Sequence, residues 1–225
     1  MVKLLSLATA PAAIGLFYIY IRDKYEKEPF NLLIVSVIFG IIIAVPIVHV
    51  GNVLMIFMPT GGMLLEAFYL SFVTSAFVEE FFKYIVLYFL VWRNRNLNEK
   101  FDGIVYAVFI SLGFASIENI MYVFSEDLGG TTTAINRAIF SIPAHALFGV
   151  VMGYHFTMSK FEKNKKTRHF ILAFTVPWLL HAVYNFILLS NIMYAMFFFL
   201  LFVVYLWITG FRKMKNHIEN SPFKT

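Results

Sequence analysis

The chain has no cysteine. That absence removes a disulfide framework, thiolate metal sites and a cysteine nucleophile. Aspartate is nearly as scarce. Asp23, Asp102 and Asp127 are the only ones, each at a loop or the edge of an apolar segment, which argues against an aspartyl dyad inside a membrane. No His-Glu-x-x-His zinc signature occurs. Ser71, Ser75, Ser111, Ser116 and Ser141 fall within apolar segments, but none has the Gly-x-Ser-x-Gly setting of a nucleophile elbow, and small spanning residues ordinarily serve helix packing. Charged residues make up only 14%. The net charge of +5 does not point to nucleic acid, because the basic residues gather in particular loops and the tail. Internal repeats and low-complexity linkers are also missing.

What remains is apolar. Of 225 residues, 60% are hydrophobic and 19% aromatic, and the mean hydropathy is +0.76. These values describe a polytopic membrane protein rather than a soluble core. We expect one all-α domain, residues 1–225, built as a helical bundle with about seven transmembrane helices. The expected spans are approximately 3–21, 30–50, 66–92, 102–124, 134–158, 169–190 and 192–211, each near the roughly 20 residues a crossing needs. Ala8-Thr9-Ala10 looks like a cleavage site, yet only about four apolar residues precede it, short of the roughly 7–15 of a signal peptide, so the first span is read as uncleaved. Pro11, Pro46, Pro143 and Pro177 mark expected kinks.

Basic residues orient the bundle. Arg22, Lys24 and Lys27 follow the first span, Arg93, Arg95 and Lys100 the third, Lys160 to Arg168 the fifth, and Arg212, Lys213, Lys215 and Lys224 the last. The alternate loops carry almost none, with Arg137 alone in one of them. The positive-inside rule then places the N-terminus outside and the C-terminus in the cytoplasm.

Against this background six ionisable residues stand out inside spans: Glu79, Glu80, Lys83, Glu118, His145 and His181. A charged group at the bilayer centre costs roughly 2.5–3.5 kcal/mol, whereas each Leu, Ile, Phe or Val gains only about 0.3–0.6 kcal/mol. Such groups therefore pair with each other, sit in a wet cavity, or both, and they mark functional sites. Counted from the span ends at about 1.5 Å per residue, Glu79, Glu80, Glu118, His145 and His181 fall between mid-membrane and the outer leaflet.

Lys83 is i+4 from Glu79 and i+3 from Glu80, within reach of either carboxylate. One reading is a carboxylate poised by a cation while its neighbour acts as general base. The blander reading is an ion pair that neutralises itself. Glu118-Asn119 has no partner on its own helix, so Glu118 is a metal ligand, a second acid/base, or one end of an interhelical hydrogen bond. His145 and His181 act as metal ligands, orient water, or bond between helices. Asn185 shares a face with His181 and can donate to an oxyanion, as can Asn119.

At these residues the chain resembles the PrsW family of intramembrane proteases, within a broader group that includes prenyl-protein (CAAX) endopeptidases. The resemblance runs through Tyr25-Glu26-Lys27-Glu28-Pro29, Glu79-Glu80-Phe81-Phe82-Lys83, Asp102-Gly103-Ile104-Val105-Tyr106, Phe114 to Asn119, Pro143-Ala144-His145 through Gly149, and His181 through Asn185. It implies a multi-pass protein of the bacterial plasma membrane with Glu79 and Glu80 as its catalytic core. It also implies site-1 cleavage of a single-span anti-sigma factor under envelope stress. In the nearest relatives Asp is expected where this chain has Asn185; CAAX-type relatives often carry Asn there as an oxyanion-stabilising group.

The expectation from sequence is therefore peptide hydrolysis by glutamate-activated water. Glu79 or Glu80 takes a proton from water and returns it to the leaving amine, tuned by Lys83. Asn185, with Asn119, stabilises the oxyanion. His145, His181 and Glu118 form a candidate Zn2+ set with an open position, a metal-free scheme being the alternative. Two rival classes use the same residues: a proton or cation transporter, and a non-catalytic scaffold that binds transmembrane helices.

Overall fold

A computed structural model describes residues 1–224 and shows a helical bundle with no strand among them. Ten α-helices follow one another: α1 (Val2–Arg22), α2 (Phe30–Ile42), α3 (Ala44–Met55), α4 (Met63–Tyr69), α5 (Ala76–Val91), α6 (Asp102–Val123), α7 (Thr131–Asn136), α8 (Ile142–Phe161), α9 (Lys166–Leu189) and α10 (Ala195–Glu219). They join into seven long stretches. Six are long and apolar enough to cross a membrane: Val2–Arg22, Phe30–Met55, Asp102–Val123, Thr131–Phe161, Lys163–Leu189 and Ala195–Glu219. The seventh runs through α4 and α5 and carries Glu66, Glu79, Glu80 and Lys83, so charge rather than length sets it apart.

The helices are interrupted for identifiable reasons. α2 and α3 meet at Ile43, three residues before Pro46, whose ring cannot donate to the preceding turn. π-turns at Leu70–Ser75 and Arg137–Ser141 join α4 to α5 and α7 to α8. In the first, the Ala76 N–H reaches back to Ser71 and passes over the Phe72 carbonyl. That carbonyl accepts from Trp178 Nε1 on α9 at 2.9 Å, which bolts the irregular turn to a neighbouring helix. Pro11 and Pro177 lie inside helices that run on without a break.

α6 is the axle of the bundle, buried without interruption from Asp102 to Ala115. Close approach to its neighbours depends on glycine. A methyl on Gly40 of α2 would collide with the backbone of α6 at Ile110, and one on Gly153 of α8 with the Gly103 carbonyl of α6. α1, α2 and α8 thus lie against α6, α9 packs on the α8 side, and α5 is wedged against α6 and α9.

Candidate active site

Side chains from three helices converge beside α6. Glu79, Glu80 and Lys83 come from α5, His145 from the first turn of α8 and His181 from α9. All five are buried, and Glu80 and Lys83 have no exposed surface. Lys83 Nζ lies 2.8 Å from Glu80 Oε1, 3.4 Å from Glu79 Oε2 and 3.2 Å from His145 Nδ1, with the Phe114 ring centroid 4.5 Å away. An ammonium can only donate. His145 Nδ1 therefore accepts, and its Nε2–H donates to Glu118 Oε2 at 3.0 Å. His181 Nδ1 lies 2.9 Å from Glu80 Oε1, and its ring stacks on Phe148 with centroids 4.8 Å apart.

Glu118 therefore stands behind His145. It lies outside the group formed by Glu79, Glu80, His145 and His181, whose ligand atoms come within 4.8 Å of one another. The same Oε2 accepts from Arg137 Nη2 at 2.6 Å, while Arg137 Nε donates to Asn119 Oδ1 at 2.8 Å and the guanidinium lies 4.1 Å from the Tyr122 ring. Asn119 donates its amide to the Ala8 carbonyl at 2.7 Å, so both ends of its side chain are engaged between α1 and Arg137. Asn185 donates to Ser75 Oγ at 2.9 Å, and Ser75 Oγ donates to Glu79 Oε1 at 3.0 Å. Asn185 reaches Glu79 through that hydroxyl.

Two residues of this arrangement escaped sequence reasoning. Ser75 sits one turn before Glu79, a spacing that was there to be read. Arg137 counts in the sequence only as a lone loop charge; its isolation in a charge-poor segment was the available signal.

Two cavities open on the site. One, of about 400 Å3, lies against α3; the other, of about 570 Å3, lies between α8, α9 and α10. Glu79 borders the first, while His145, His181 and Asn185 border the second. Thr74, Ser75, Glu118 and Tyr122 line both.

A family model described as "PrsW family intramembrane metalloprotease" matches residues 28–209. The chain belongs to the PrsW family. Protease PrsW of Oceanobacillus iheyensis is 39% identical over 223 residues, covering 98% of this chain and 99% of that protein. Protease PrsW of Clostridioides difficile is 38% identical over 218 residues (96% and 91%), and that of Bacillus subtilis 37% over 219 residues (96% of each). No solved structure matches. PrsW membership makes the chain a membrane-embedded peptidase of the bacterial cell membrane, crossing it several times and acting on a membrane-embedded substrate.

The family's description as metalloprotease can be tested against the donors present. One ligand atom from each of Glu79, Glu80, His145 and His181 lies within 4.8 Å of the others. Two carboxylates and two imidazoles suit a divalent transition metal. Glu80 Oε2 is buried without a hydrogen-bond partner, as a free ligand oxygen would be. The group fits a metal, with Lys83 competing for the same carboxylates.

Proposed function

We propose that this PrsW-family peptidase makes the first cut in a single-span anti-sigma factor, in the outer half of the membrane, with Glu79 as general base and Zn2+ as its metal. The orientation is the one the basic loops favour, N-terminus outside and C-terminus in the cytoplasm. The observation that carries the assignment is the asymmetry of the two glutamates. Glu79 borders a cavity, whereas Glu80 is sealed between Lys83 and His181.

Glu79 takes a proton from a water, whose oxygen adds to the scissile carbonyl carbon. The proton passes to the departing amide nitrogen as the C–N bond breaks, leaving a carboxylate and an amine. Ser75 fixes the Glu79 carboxylate through Oε1 and leaves Oε2 toward Lys83. The Asn185 amide donates to the developing oxyanion once substrate draws it from Ser75. Lys83 donates to both Glu79 and Glu80 and holds the two carboxylates in place. Glu80, His145 and His181 would hold the metal, with Glu118 orienting His145 from behind. Zinc, when bound there, lowers the pKa of water and polarises the carbonyl.

The test is co-expression with single-span anti-sigma factors and a search for a shortened fragment. Wild type should produce it. Glu79→Gln should lose about 10²–10⁴-fold in rate, the scale of a missing general base. Purified protein should hold one zinc that His181→Ala loses. A full-rate Glu79→Gln variant would overturn the role given to Glu79, and full activity without bound metal would overturn the zinc assignment.

A further inference from the structure

Three cavities of the bundle differ in chemistry, and the difference says what each can hold. The groove of about 500 Å3 between α1, α8 and α10 is walled by Leu7, Ile14, Leu147, Val150 and similar apolar side chains, as expected of a surface against lipid tails. The two cavities at the active site pair apolar walls with side-chain amides and hydroxyls. Asn52, Thr74 and Ser125 line the first; Asn136, Ser141 and Asn185 line the second. A lipid tail has no use for such groups. A peptide backbone does, because within a membrane every unpaired N–H or C=O costs several kcal/mol.

The substrate of a peptidase at this depth arrives as a helix, with its scissile carbonyl tied to an N–H one turn later. It has to be unwound before water can attack, and the freed backbone groups need partners. The cavities supply such partners on both sides of the site. They adjoin, with Thr74, Ser75, Glu118 and Tyr122 in the walls of both, and they lead away toward different helices: to α3 in one direction and to the α9–α10 junction in the other. Both π-turns line the second cavity, through Leu70, Thr74 and Ser75 on one side and Arg137, Phe140 and Ser141 on the other. Gly51 lines the α3 cavity, and an added Cβ there would make only an ordinary contact, 3.6 Å from the Thr74 carbonyl, so the missing side chain leaves room in that half.

We propose that the two cavities are the two halves of one substrate cleft. An unwound, extended segment of the substrate's transmembrane helix crosses the site with residues on one side of the scissile bond in the α3 cavity and those on the other side in the α9–α10 cavity. Gly51 sets the size of side chain accepted in the α3 half. This rests on the peptidase reading above and adds the form and path of the substrate.

The absence of native cysteine makes the path directly measurable. In a Glu79→Gln background, single cysteines are placed at Val48 for the first cavity, Leu188 for the second and Ile14 for the lipid-facing groove. Each variant is co-reconstituted with a single-span reporter whose own lone cysteine is moved residue by residue along its transmembrane segment. Disulfide yield is compared with the cut position that wild type makes in the same reporters. Reporter positions on one side of the cut should link to Val48→Cys, positions on the other side to Leu188→Cys, and none to Ile14→Cys. Gly51→Phe should slow cleavage of reporters with a bulky residue beside the cut by about tenfold or more, and spare those with glycine or alanine. Links from both sides to one cavity, or links to neither in a reporter that is cut, overturn the proposal and leave the peptidase reading intact. Links divided between the cavities in a reporter that wild type never cuts keep the binding path and remove the peptidase reading. Neither links nor cuts overturn both.

Discussion

At the scale of single residues, the site is a set of acids and imidazoles whose orientation is fixed from behind. Arg137 is the clearest case. It cancels the charge of Glu118 and holds that carboxylate against His145 Nε2, so Nδ1 is the nitrogen presented to Lys83 and the paired glutamates. Partners of this kind are typically worth 10–100-fold in metal affinity or activity. Arg137→Ala and Glu118→Gln should each cost roughly that factor in cleavage rate, with Arg137→Lys recovering part of it. A thermal melt of each variant in detergent separates lost orientation from lost fold, and Arg137→Ala at full rate would show that the ion pair is only structural. Glu79, Glu80, Lys83, His145 and His181 were legible in the sequence, because ionised groups in an apolar segment must answer for their cost. The places of Glu118 and Asn119 were not. Which ring nitrogen of His145 a carboxylate meets, and whether an asparagine spends its amide on the Ala8 carbonyl, are settled by how α1, α6 and α8 pack.

Among the elements, the long apolar segments were readable from hydropathy, and the break between α2 and α3 from Pro46. The π-turn at Leu70–Ser75 was not readable: its sequence holds neither proline nor glycine, and its freed carbonyl is met by a tryptophan more than a hundred residues away. Tertiary contact stabilises that turn, so removing the contact should loosen it. Trp178→Phe keeps the aromatic packing on Phe77 and Phe174 but leaves the Phe72 carbonyl without its side-chain donor, a loss of about 1–3 kcal/mol if no water replaces it. The expected readout is a lower Tm together with a reduced cleavage rate, because the turn also positions Ser75 on Glu79. An unchanged rate at a lowered Tm would confine the turn to a structural role. Gly153→Ala tests the same scale by packing alone. The α6–α8 contact has no room for a methyl at that point, so the variant should lower Tm and expression.

At the scale of the whole molecule, a second group of acids ties the chain's distant parts together at the opposite end of α6 from Glu118. Asp23 follows α1, Glu28 precedes α2, Glu99 and Asp102 flank the start of α6, and Ser221 follows α10. Asp23 accepts from the Glu28 N–H at 3.1 Å, and Asp102 from the N–H groups of Asn98 and Glu99 at 2.8 and 2.7 Å. Tyr106 donates to Glu28 and Ser221 to Glu99. Burial pushes Asp23 from 3.8 up to about 6 despite the Glu28 N–H and nearby Lys27. Burial, then the Asp102 carboxylate beside it, pushes Glu28 from 4.5 up to about 10, and burial raises Glu99 as well. A carboxyl whose pKa is raised by folding binds more protons folded than unfolded, so its stabilising contribution is full below the unfolded pKa and is lost as pH rises through the folded one. For Asp23 the loss falls between about 4 and 6, and for Glu28 between about 4.5 and 10. The Tm in detergent should therefore fall as pH is raised from about 5 to about 9. Glu28→Gln, which keeps the shape of the neutral acid and cannot titrate, should flatten that slope above about pH 6 without lowering Tm at pH 7. A wild-type Tm that rises with pH, or a Glu28→Gln variant with the wild-type slope, would mean that these acids hold their charge when folded and that the cluster contributes no proton linkage.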